Sequence, residues 1–258
     1  MKNVVITGST RGLGFFMGKE FLNAGCNVTF SGRGEKPNEN LLSLMDQYKD
    51  QSLYVRCDVK NKADVENLWN ESVKKWGSVD IWINNAGVNY PEDFIYNINS
   101  EYVESVIDTN IKGMIYGSQI ASKNMLKQDK GQIWNMEGLG SNNMIVSKTI
   151  LYGTSKHALT YFTRGLAKEL SKTSVKVGRL SPGMMATDFI LKQPESKGIS
   201  ESFKKIFNIL GDKPEIVAKF FIPRILKNTK NDAHIMWLTT SKIIFRFATS
   251  PFVKRKII

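Results

Sequence analysis

Residues 4–14 read Val4-Val5-Ile6-Thr7-Gly8-Ser9-Thr10-Arg11-Gly12-Leu13-Gly14, and this stretch decides the fold. Its first three residues form a β-branched run that predicts a buried parallel strand. Three glycines at the spacing G-x-x-x-G-x-G follow, then an amphipathic helix that ends near Gly25 and a second strand over Asn27–Ser31. Strand, glycine loop, helix and strand in this order are the context of a dinucleotide fingerprint, because glycines allow backbone N–H groups and a helix N-terminus to approach a pyrophosphate. We therefore expect a nucleotide cofactor at this loop.

The end of the second strand selects among the nicotinamide cofactors. In NAD sites a carboxylate usually stands there and binds the ribose 2′-hydroxyl. This chain instead has Ser31-Gly32-Arg33, with no carboxylate before Glu35, and Arg11 lies inside the glycine loop. Two guanidinium groups near the adenosine ribose favour a 2′-phosphate, and hence NADP(H). The alternative is that both arginines are solvated surface residues.

Predicted strands and helices alternate along the whole chain, without a linker, an internal repeat or a low-complexity tract. That order is typical of a single α/β domain, here 1–258, built on one Rossmann-type doubly wound parallel sheet with helices on both faces. Further strands are expected at Leu53–Arg56, Val79–Ile83, Gly131–Met136, Val175–Leu180 and His234–Leu238, and helices at Asn40–Lys49, Lys62–Trp76, Glu101–Met125 and Leu151–Ser171.

The composition is that of a globular protein with an excess of positive charge. Of its 258 residues 41% are hydrophobic and 23% charged, and the formal net charge is +12. Such a charge favours anionic partners, among them a phosphorylated cofactor, an acidic lipid surface or nucleic acid. Because the basic residues are dispersed until the tail, we expect no dedicated nucleic-acid patch.

The two cysteines, Cys26 and Cys57, are in neither a disulfide nor a metal spacing. We expect them to be buried thiols in a reducing compartment, so the sequence predicts no metal site and a cytoplasmic location. It contains no evident signal peptide and no apolar run of about 20 residues, the length that a membrane-spanning helix needs.

A tyrosine and a lysine stand four residues apart in Tyr152-Gly153-Thr154-Ser155-Lys156. On a helix this spacing puts both side chains on one face. A neighbouring ammonium favours the phenolate and lowers the pKa of the tyrosine, which suits a group that donates and recovers a proton. The alternative is an ordinary surface pair, since the same spacing occurs by chance in many helices.

Other polar residues stand at strand ends or inside a helix. Asp58 follows the third strand, where it is a candidate acceptor for an adenine amino group or a cap for the next helix. Small residues in Asn84-Asn85-Ala86-Gly87 allow the backbone to lie against a cofactor. Asn110, in the middle of a helix, indicates a water or backbone site, or else faces solvent.

Taken together, these motifs resemble the short-chain dehydrogenase/reductase family. The resemblance covers roughly residues 1–190 and implies a sheet of about seven strands, with dimers or tetramers built on the helices after the fourth and fifth strands. It is carried by the glycine loop, Asn84-Asn85-Ala86-Gly87, Asn110, Tyr152 with Lys156, and Pro182-Gly183, in the family's order and spacing.

The resemblance also implies roles for individual residues. Tyr152 would be the acid/base, Lys156 would lower its pKa and hold the nicotinamide ribose, and Asn110 would anchor a water in a proton relay. Thr187 would meet the nicotinamide carboxamide. The predicted cofactor contacts are Gly8, Ser9, Thr10, Arg11, Gly12, Leu13, Gly14, Arg33, Asp58, Val59, Asn85, Ala86, Gly87, Tyr152, Lys156, Pro182, Gly183, Met184 and Thr187.

One position departs from the family pattern. The family has a serine 12 to 14 residues before the tyrosine to bind the substrate oxygen, but this chain has Gly138 there, and the nearest hydroxyl is Ser141. Losing one such donor typically costs about 10²–10³ in rate. Ser141 is therefore a candidate fourth catalytic residue. Glu137 is a candidate only if its pKa is raised, and is otherwise a loop carboxylate on the surface.

The same loop, Asn135-Met136-Glu137-Gly138-Leu139-Gly140-Ser141, is similar to that of chlorophyll(ide) b reductases, which use NADPH to turn a formyl group into a hydroxymethyl group. The segments Leu180–Met184 and Pro214–Ala218 are also similar to theirs. This likeness implies common ancestry and a common layout of the active site.

The carboxyl-terminal third departs from the wider family. Residues 189–210 are predicted to form a substrate lid whose apolar side chains, such as Phe203 and Phe207, line the pocket or pack the helix. Residues 240–258 form a basic and aromatic extension, which either contacts an anionic lipid surface or packs on its own or a neighbouring subunit. We expect His157 to lie off the catalytic face and His234 to be structural.

The sequence therefore predicts an NADPH-dependent reductase acting on a small-molecule carbonyl or alcohol, with an apolar substrate. The alternative is a non-catalytic NADP-binding sensor or scaffold, which the missing serine favours.

Overall fold

The computed structural model describes residues 1–89, 92–186, 201–253 and 255–258. Its centre is a seven-stranded sheet in the order β3-β2-β1-β4-β5-β6-β7, with every neighbouring pair parallel. The predicted doubly wound α/β fold is thus confirmed. The strands are β1 (Asn3–Ile6), β2 (Asn27–Gly32), β3 (Ser52–Arg56), β4 (Ile81–Asn84), β5 (Gly131–Met136), β6 (Val175–Ser181) and β7 (Ala233–Met236).

Helices connect the strands and cover both faces of the sheet. They are α1 (Gly12–Asn23), α2 (Glu39–Gln47), α3 (Lys62–Trp76), α4 (Ser100–Val106), α5 (Gly113–Lys127), α6 (Ile150–Glu169), α7 (Glu201–Leu210), α8 (Pro214–Leu226) and α9 (Thr240–Thr249). A 3-10 turn spans Ile95–Asn97, and a π-helical segment, Ile107–Lys112, joins α4 to α5.

Two apolar cores hold the helices to the sheet. On one face the buried residues of α1 and α8, such as Phe21 and Phe221, pack against the central strands. On the other, α3 and α5 pack against residues such as Trp82. Burial on both faces explains why the central strands β1 and β4 are nearly continuous apolar runs rather than alternating ones.

The strand order reverses beside β1, which has β2 on one side and β4 on the other. Ligands of open parallel sheets bind at such a switch point, outside the carboxyl ends of the strands. Here the glycine loop after β1 and Asn84-Asn85-Ala86-Gly87 after β4 meet at that edge.

The predicted element bounds need few changes. The single helix expected over Glu101–Met125 is present as three successive helical segments, because a π-helical segment lies between α4 and α5. Asn61, not Asp58, caps α3, since its side-chain oxygen accepts from the Ala63 N–H at 2.9 Å. Gly25 follows α1 with φ +75°, as its role as a helix stop requires.

The tail is helical and packs on its own chain. Arg246 of α9 and Arg255 both pair with the buried carboxylate of Asp212, each at 2.7 Å. Asp212 also exchanges backbone hydrogen bonds with residues 184 and 186, which follow β6. Among the described residues, none of the helices is long and apolar enough to span a membrane.

Candidate functional site

Glycines make room at the cofactor end of the site, because a side chain at these positions would collide with neighbouring residues. Gly8 has φ +62°, and a Cβ added to it would lie 2.8 Å from the Ala86 Cα. One added to Gly14 would lie 2.6 Å from the Asn85 Nδ2. Gly12, with φ +58°, begins α1. The loop therefore exposes backbone and a helix N-terminus at the switch point, which is the cradle that a pyrophosphate fits.

Side chains tie this loop to the end of β4. The Thr7 hydroxyl accepts from the backbone N–H groups of Asn85 and Ala86, both at 3.0 Å. The Asn85 amide donates in return to the carbonyl groups of Thr7 and Gly8, again at 3.0 Å. Asn85 therefore shapes the cradle through its side chain.

Ser9 also serves the shape of the cradle. Its hydroxyl donates to the Ile6 carbonyl at 2.8 Å and accepts from the Ser31 N–H at 2.9 Å. The residue is fully buried. Its side chain thus fixes the loop against β2. Leu13, predicted as a cofactor contact, is also buried and packs in the apolar core.

Arg11 and Arg33 are exposed where the adenosine end of a dinucleotide would lie. Arg11 directly precedes α1, and Arg33 directly follows β2. Thr10 brings the two segments together, since a Cβ on Gly32 would lie 2.6 Å from its Cγ2. The nearby Arg56 pairs instead with Glu35 and Asp64, at 2.9 and 3.1 Å.

The segment after β3 holds Asp58 and Val59. Asp58 accepts from the Lys60 backbone N–H at 3.1 Å and lies 3.9 Å from the Lys60 ammonium. Val59 is buried, and a Cβ on Gly113 would lie 2.7 Å from its Cγ2. Val59 therefore packs against the start of α5.

Tyr152 and Lys156 lie on α6, as the sequence predicts. The Lys156 ammonium is buried and donates to the Met136 carbonyl at 2.9 Å. It lies 5.8 Å from the centre of the Tyr152 ring. Burial lowers the pKa of Lys156 to about 8, and the Glu137 carboxylate acts in the opposite direction.

The prediction of a lowered tyrosine pKa is wrong for this arrangement. Burial raises the pKa of the Tyr152 phenol well above its usual value. The ammonium that was expected to oppose this shift is bonded to the Met136 carbonyl and lies over the Tyr152 ring, 5.8 Å from its centre.

Asn110 is buried inside the π-helical segment, so the solvent-facing alternative is wrong. Its amide donates to the Val88 carbonyl at 2.9 Å and to the Ser155 hydroxyl at 3.0 Å, and its oxygen accepts from the Val88 N–H at 2.8 Å. The side chain thus fixes the backbone after β4 to α6. A π turn inside an α-helix is a common feature of functional sites.

Gly138 lies directly against Tyr152. A Cβ added to it would collide with the phenolic oxygen and would lie 3.1 Å from Cζ and 3.2 Å from the Lys156 Cγ. Ser141 is engaged elsewhere, since its hydroxyl accepts from the Gly138 N–H and donates to the Lys156 carbonyl, both at 3.2 Å. To meet a substrate oxygen, Ser141 would have to give up its bond to α6.

The loop after β6 contains Pro182, Gly183 and Met184. Gly183 has φ +72° and packs on Leu238, where a Cβ would lie 2.7 Å from that residue's own Cβ. The Met184 carbonyl accepts from the Asp212 N–H at 3.0 Å. Thr187 lies outside the described residues.

The predicted lid, 189–210, is described only over 201–210, where α7 forms. Phe207 is fully buried and its ring lies 5.6 Å from that of Phe203. A Cβ added to Gly211 would lie 2.6 Å from the Phe207 Cε1. Phe207 therefore packs the helix against its own chain, whereas Ile206 is exposed.

The family model of the short-chain dehydrogenases matches residues 2–197 of this sequence. The chain belongs to the short-chain dehydrogenase family.

Its curated relatives in that family include chlorophyll(ide) b reductases. It is 34% identical over 267 residues to the probable chlorophyll(ide) b reductase NYC1, chloroplastic, of Arabidopsis thaliana, covering 96% of this chain and 53% of the relative. It is 33% identical over 255 residues to the chlorophyll(ide) b reductase NOL, chloroplastic, of Oryza sativa subsp. japonica, covering 95% and 73%. The chain thus spans about half the length of NYC1.

Solved structures of the family superpose closely. A serine dehydrogenase in its closed form with NADP+ has a TM-score of 0.80 at 26% identity, covering 92% of this chain and 95% of its own. The protein ElxO with NADP bound has a TM-score of 0.80 at 28% identity, covering 91% and 96%.

A pocket opens beside the tyrosine of this short-chain dehydrogenase, with an empty volume of about 320 Å³ that includes open solvent. Its wall comes from the 3-10 turn after β4 and from the residues that lead into α6. It is lined by Asn89, Asp93, Ile95, Ile98, Val106, Lys148, Thr149, Ile150, Leu151 and Tyr152.

The sequence did not predict a buried polar cluster that surrounds Glu137, the residue directly after β5. Glu137 is 4% exposed, which corrects its prediction as a surface carboxylate. Its partners come from three elements: Thr160 of α6, Arg179 and Ser181 of β6, and His234 of β7. Bonds from His234, Ser181 and Thr160 outweigh burial and lower the pKa of Glu137. The signal was available, because Glu137 directly follows β5 and the adjacent strand β6 ends at the polar residue Ser181.

The two histidines differ in their surroundings. His157 lies on the exposed side of α6, with its Nδ1 3.3 Å from the Gly140 carbonyl oxygen, and His234 joins the Glu137 cluster.

Cys26 and Cys57 are buried and unpaired. Within the described ranges, no group of three or more metal-ligating side chains is formed.

Proposed function

We propose that this chain is an NADP(H)-dependent oxidoreductase that interconverts a carbonyl and an alcohol. The observation that carries the proposal is the position of Tyr152 beside Lys156 on α6, next to a pocket and on the same edge of the sheet as the glycine cradle. Structures with NADP bound in the same fold support the choice of cofactor.

Arg11 and Arg33 would hold the 2′-phosphate of the cofactor, because both are exposed and neither is committed to an ion pair with a described residue. The glycine cradle would hold its pyrophosphate. When bound, the cofactor supplies the hydride for reduction. Asn110 keeps the backbone after β4 in place through its two bonds to Val88.

Tyr152 would give its phenolic proton to the carbonyl oxygen as the carbon gains the hydride, so that an aldehyde or ketone leaves as an alcohol. Lys156, once released from Met136, would hold the nicotinamide ribose and stabilise the phenolate. A proton from solvent would then restore Tyr152. Asn110, as the anchor of a water on that path, is part of this proposal.

The surroundings of the pocket support an apolar substrate. Large apolar side chains are exposed on the two connections that contribute to its wall, the segment after β4 and the segment that leads into α6. They are Phe94, Ile95, Tyr96, Leu139, Met144, Ile145, Val146 and Ile150, of which Ile95 and Ile150 line the pocket. Exposed apolar surface of this kind is typical of a binding site for an apolar ligand. Similarity to chlorophyll(ide) b reductases favours an aldehyde as the substrate.

To test the proposal, the oxidation of NADPH is measured by absorbance with each member of a panel of apolar aldehydes and ketones. We expect Tyr152→Phe to lose activity by about 10²–10⁴-fold, the usual contribution of a general acid. Tyr161→Phe is the matched control, because Tyr161 is on the same helix but 82% exposed. Equal turnover by wild type and Tyr152→Phe would rule out this mechanism.

A second candidate is a non-catalytic NADP-binding sensor or scaffold. Gly138 favours it, since no hydroxyl stands at the family's serine position and Ser141 is bonded to backbone. Tight NADPH binding without turnover of any aldehyde in the panel would support this alternative.

The assembly and location are part of the same proposal. We expect a homodimer or homotetramer, which light scattering after size-exclusion chromatography measures. The unpaired thiols favour a reducing, cytoplasmic environment. Peripheral contact between residues 240–258 and a lipid surface is supported by exposed side chains such as Phe245 and Phe252. Flotation with anionic vesicles, with and without residues 240–258, tests this contact.

A further inference from the structure

Glu137 is a buried carboxylate at the start of the loop that follows β5, and it has several polar partners. One carboxylate oxygen accepts from the Thr160 hydroxyl at 3.0 Å and lies 3.6 Å from the Arg179 Nη1. The other lies 2.9 Å from the His234 Nε2 and accepts from the Ser181 hydroxyl. A carboxylate this deep is stable only because these groups replace its water.

The two residues beside Glu137 in sequence both touch the catalytic pair. The Met136 carbonyl accepts from the Lys156 ammonium at 2.9 Å, and Gly138 lies against the Tyr152 hydroxyl. Any movement of the Glu137 backbone is therefore passed directly to both catalytic side chains. Its N–H donates to the Leu180 carbonyl at 2.8 Å, which extends the pairing of β5 with β6 past the strand end.

A second connection runs through α6. The Thr160 hydroxyl lies 3.0 Å from the Glu137 carboxylate and 3.2 Å from the Lys156 carbonyl oxygen, one turn back along the helix. Glu137 is thus attached to α6 at the residue that presents the ammonium. The Ser181 and His234 contacts attach it to β6 and β7.

The charges around Lys156 are unequal. The Glu137 carboxylate acts on it electrostatically, and on its own helix its ammonium lies 5.8 Å from the centre of the Tyr152 ring. Arg179 and His234 lie 3.6 and 2.9 Å from the Glu137 carboxylate, and Asp232, 44% exposed, lies 3.6 Å from Arg179. Glu137 is therefore the anion placed to favour the ammonium, whose pKa burial alone would lower further.

We propose that Glu137 is the positioning residue of the catalytic pair: it fixes the end of β5 so that Met136 holds Lys156 and Gly138 meets Tyr152, and its negative charge favours the Lys156 ammonium. The inference rests on the proposed function for its catalytic consequence, but its electrostatic part is independent of any substrate.

Titration of Lys156 in the cofactor-free protein tests the electrostatic part. The protein is labelled with lysine carrying ¹³C at Cε, and the Lys156 signal is assigned by its loss in Lys156→Arg. In Glu137→Gln we expect its midpoint to fall by about half a pH unit or more, because a nearby negative charge has been removed. Asp232→Asn, which removes the outer carboxylate of the same cluster, should leave the midpoint unchanged. An unchanged midpoint in Glu137→Gln would overturn this part.

Glu137→Asp tests the positioning part, since it keeps the charge but shortens the side chain by one methylene. We expect a Lys156 midpoint close to that of wild type, together with a kcat at least about tenfold lower in the folded variant. Unchanged kcat in Glu137→Asp would contradict the positioning role, and this variant remains available if Glu137→Gln does not fold. If no variant, wild type included, turns over any carbonyl while the Lys156 midpoint still shifts, the proposed function fails and the electrostatic inference stands.

Discussion

The Tyr152 hydroxyl occupies the space in which a side chain at Gly138 would begin. A Cβ there would collide with the phenolic oxygen and lie 3.1 Å from Cζ. The glycine is therefore a steric requirement of this arrangement of Tyr152, and the position cannot simply be refilled with a hydroxyl.

Gly138→Ser should consequently lower activity, even though it restores the residue that the family pattern has at this position. The new Cβ displaces the acid from its place against the loop, and we expect kcat/KM to fall by about tenfold or more. Steady-state oxidation of NADPH measures the effect. Gly165→Ala is the matched control, because nothing lies within 4 Å of the Cβ that it adds on α6. A rise in activity in Gly138→Ser would show that the missing hydroxyl, not space, limits the enzyme.

Preference for NADPH over NADH should depend on Arg11 and Arg33. Each guanidinium that pairs with the 2′-phosphate contributes about 1.5–3 kcal/mol, so each alanine variant should bind NADPH about tenfold or more weakly and NADH nearly unchanged. Fluorescence titration with both cofactors measures this. Arg56→Ala, which removes a guanidinium already paired with Glu35 and Asp64, should change neither affinity. Equal weakening of both cofactors in Arg33→Ala would place that residue away from the 2′-phosphate.

Lys156 should make the stability of the protein increase between about pH 8 and pH 10.5. Burial lowers its pKa to about 8, from the usual value of 10.5 for a lysine. In this window the unfolded chain binds a proton that the folded one has released, so the free energy of unfolding rises with pH. The full effect is about 3 kcal/mol, and it is absent below the folded pKa, where both states are protonated.

Urea denaturation of wild type and Lys156→Met at pH 7, 8, 9 and 10 measures this contribution. We expect the stability of wild type to gain on that of the variant as the pH rises. A constant difference across the series would mean that Lys156 titrates at its ordinary pKa. Lys112→Met is the control, since that lysine is on the surface and paired with Asp108.

Asp212→Asn should destabilise the protein and release the tail. The carboxylate is 3% exposed and pairs with both Arg246 and Arg255, so its loss leaves two partly buried cations without their partner. Breaking a buried pair in this way costs about 3–5 kcal/mol. Thermal unfolding measures the loss of stability, and the rate of tryptic cleavage within residues 240–258 measures the release of the tail. Asp108→Asn, at an exposed pair, should cost less than about 0.5 kcal/mol.

The parts of the fold and site that depend on local pattern could be predicted from the sequence. Apolar runs bounded by glycine and polar residues defined the strands, and the i,i+4 spacing placed Tyr152 and Lys156 on one helix face. Contacts between distant segments could not be read in this way. The burial of Glu137 depends on the meeting of β5, β6 and β7, and the position of Lys156 on Met136 depends on how α6 crosses the end of β5.

The tail shows the same limit. Its alternating basic and aromatic residues left open whether it contacts a lipid surface or packs on its own or a neighbouring subunit. Only the fold shows that Arg246 and Arg255 pair with Asp212 of the same chain while Phe245 stays exposed. The basic residues of the tail could be identified from the sequence, but the carboxylate with which they pair could not.

The Asp212 pairs impose an order on synthesis as well as on structure. The two arginines lie 34 and 43 residues after the carboxylate that they neutralise. While the ribosome is still making that stretch, Asp212 cannot be paired with them. Domains fold largely as they emerge. In this protein all seven strands of the sheet precede Arg246 and can pair early, whereas Asp212, whose backbone bonds to the loop after β6, gains its two arginines only after Arg255 has left the ribosome.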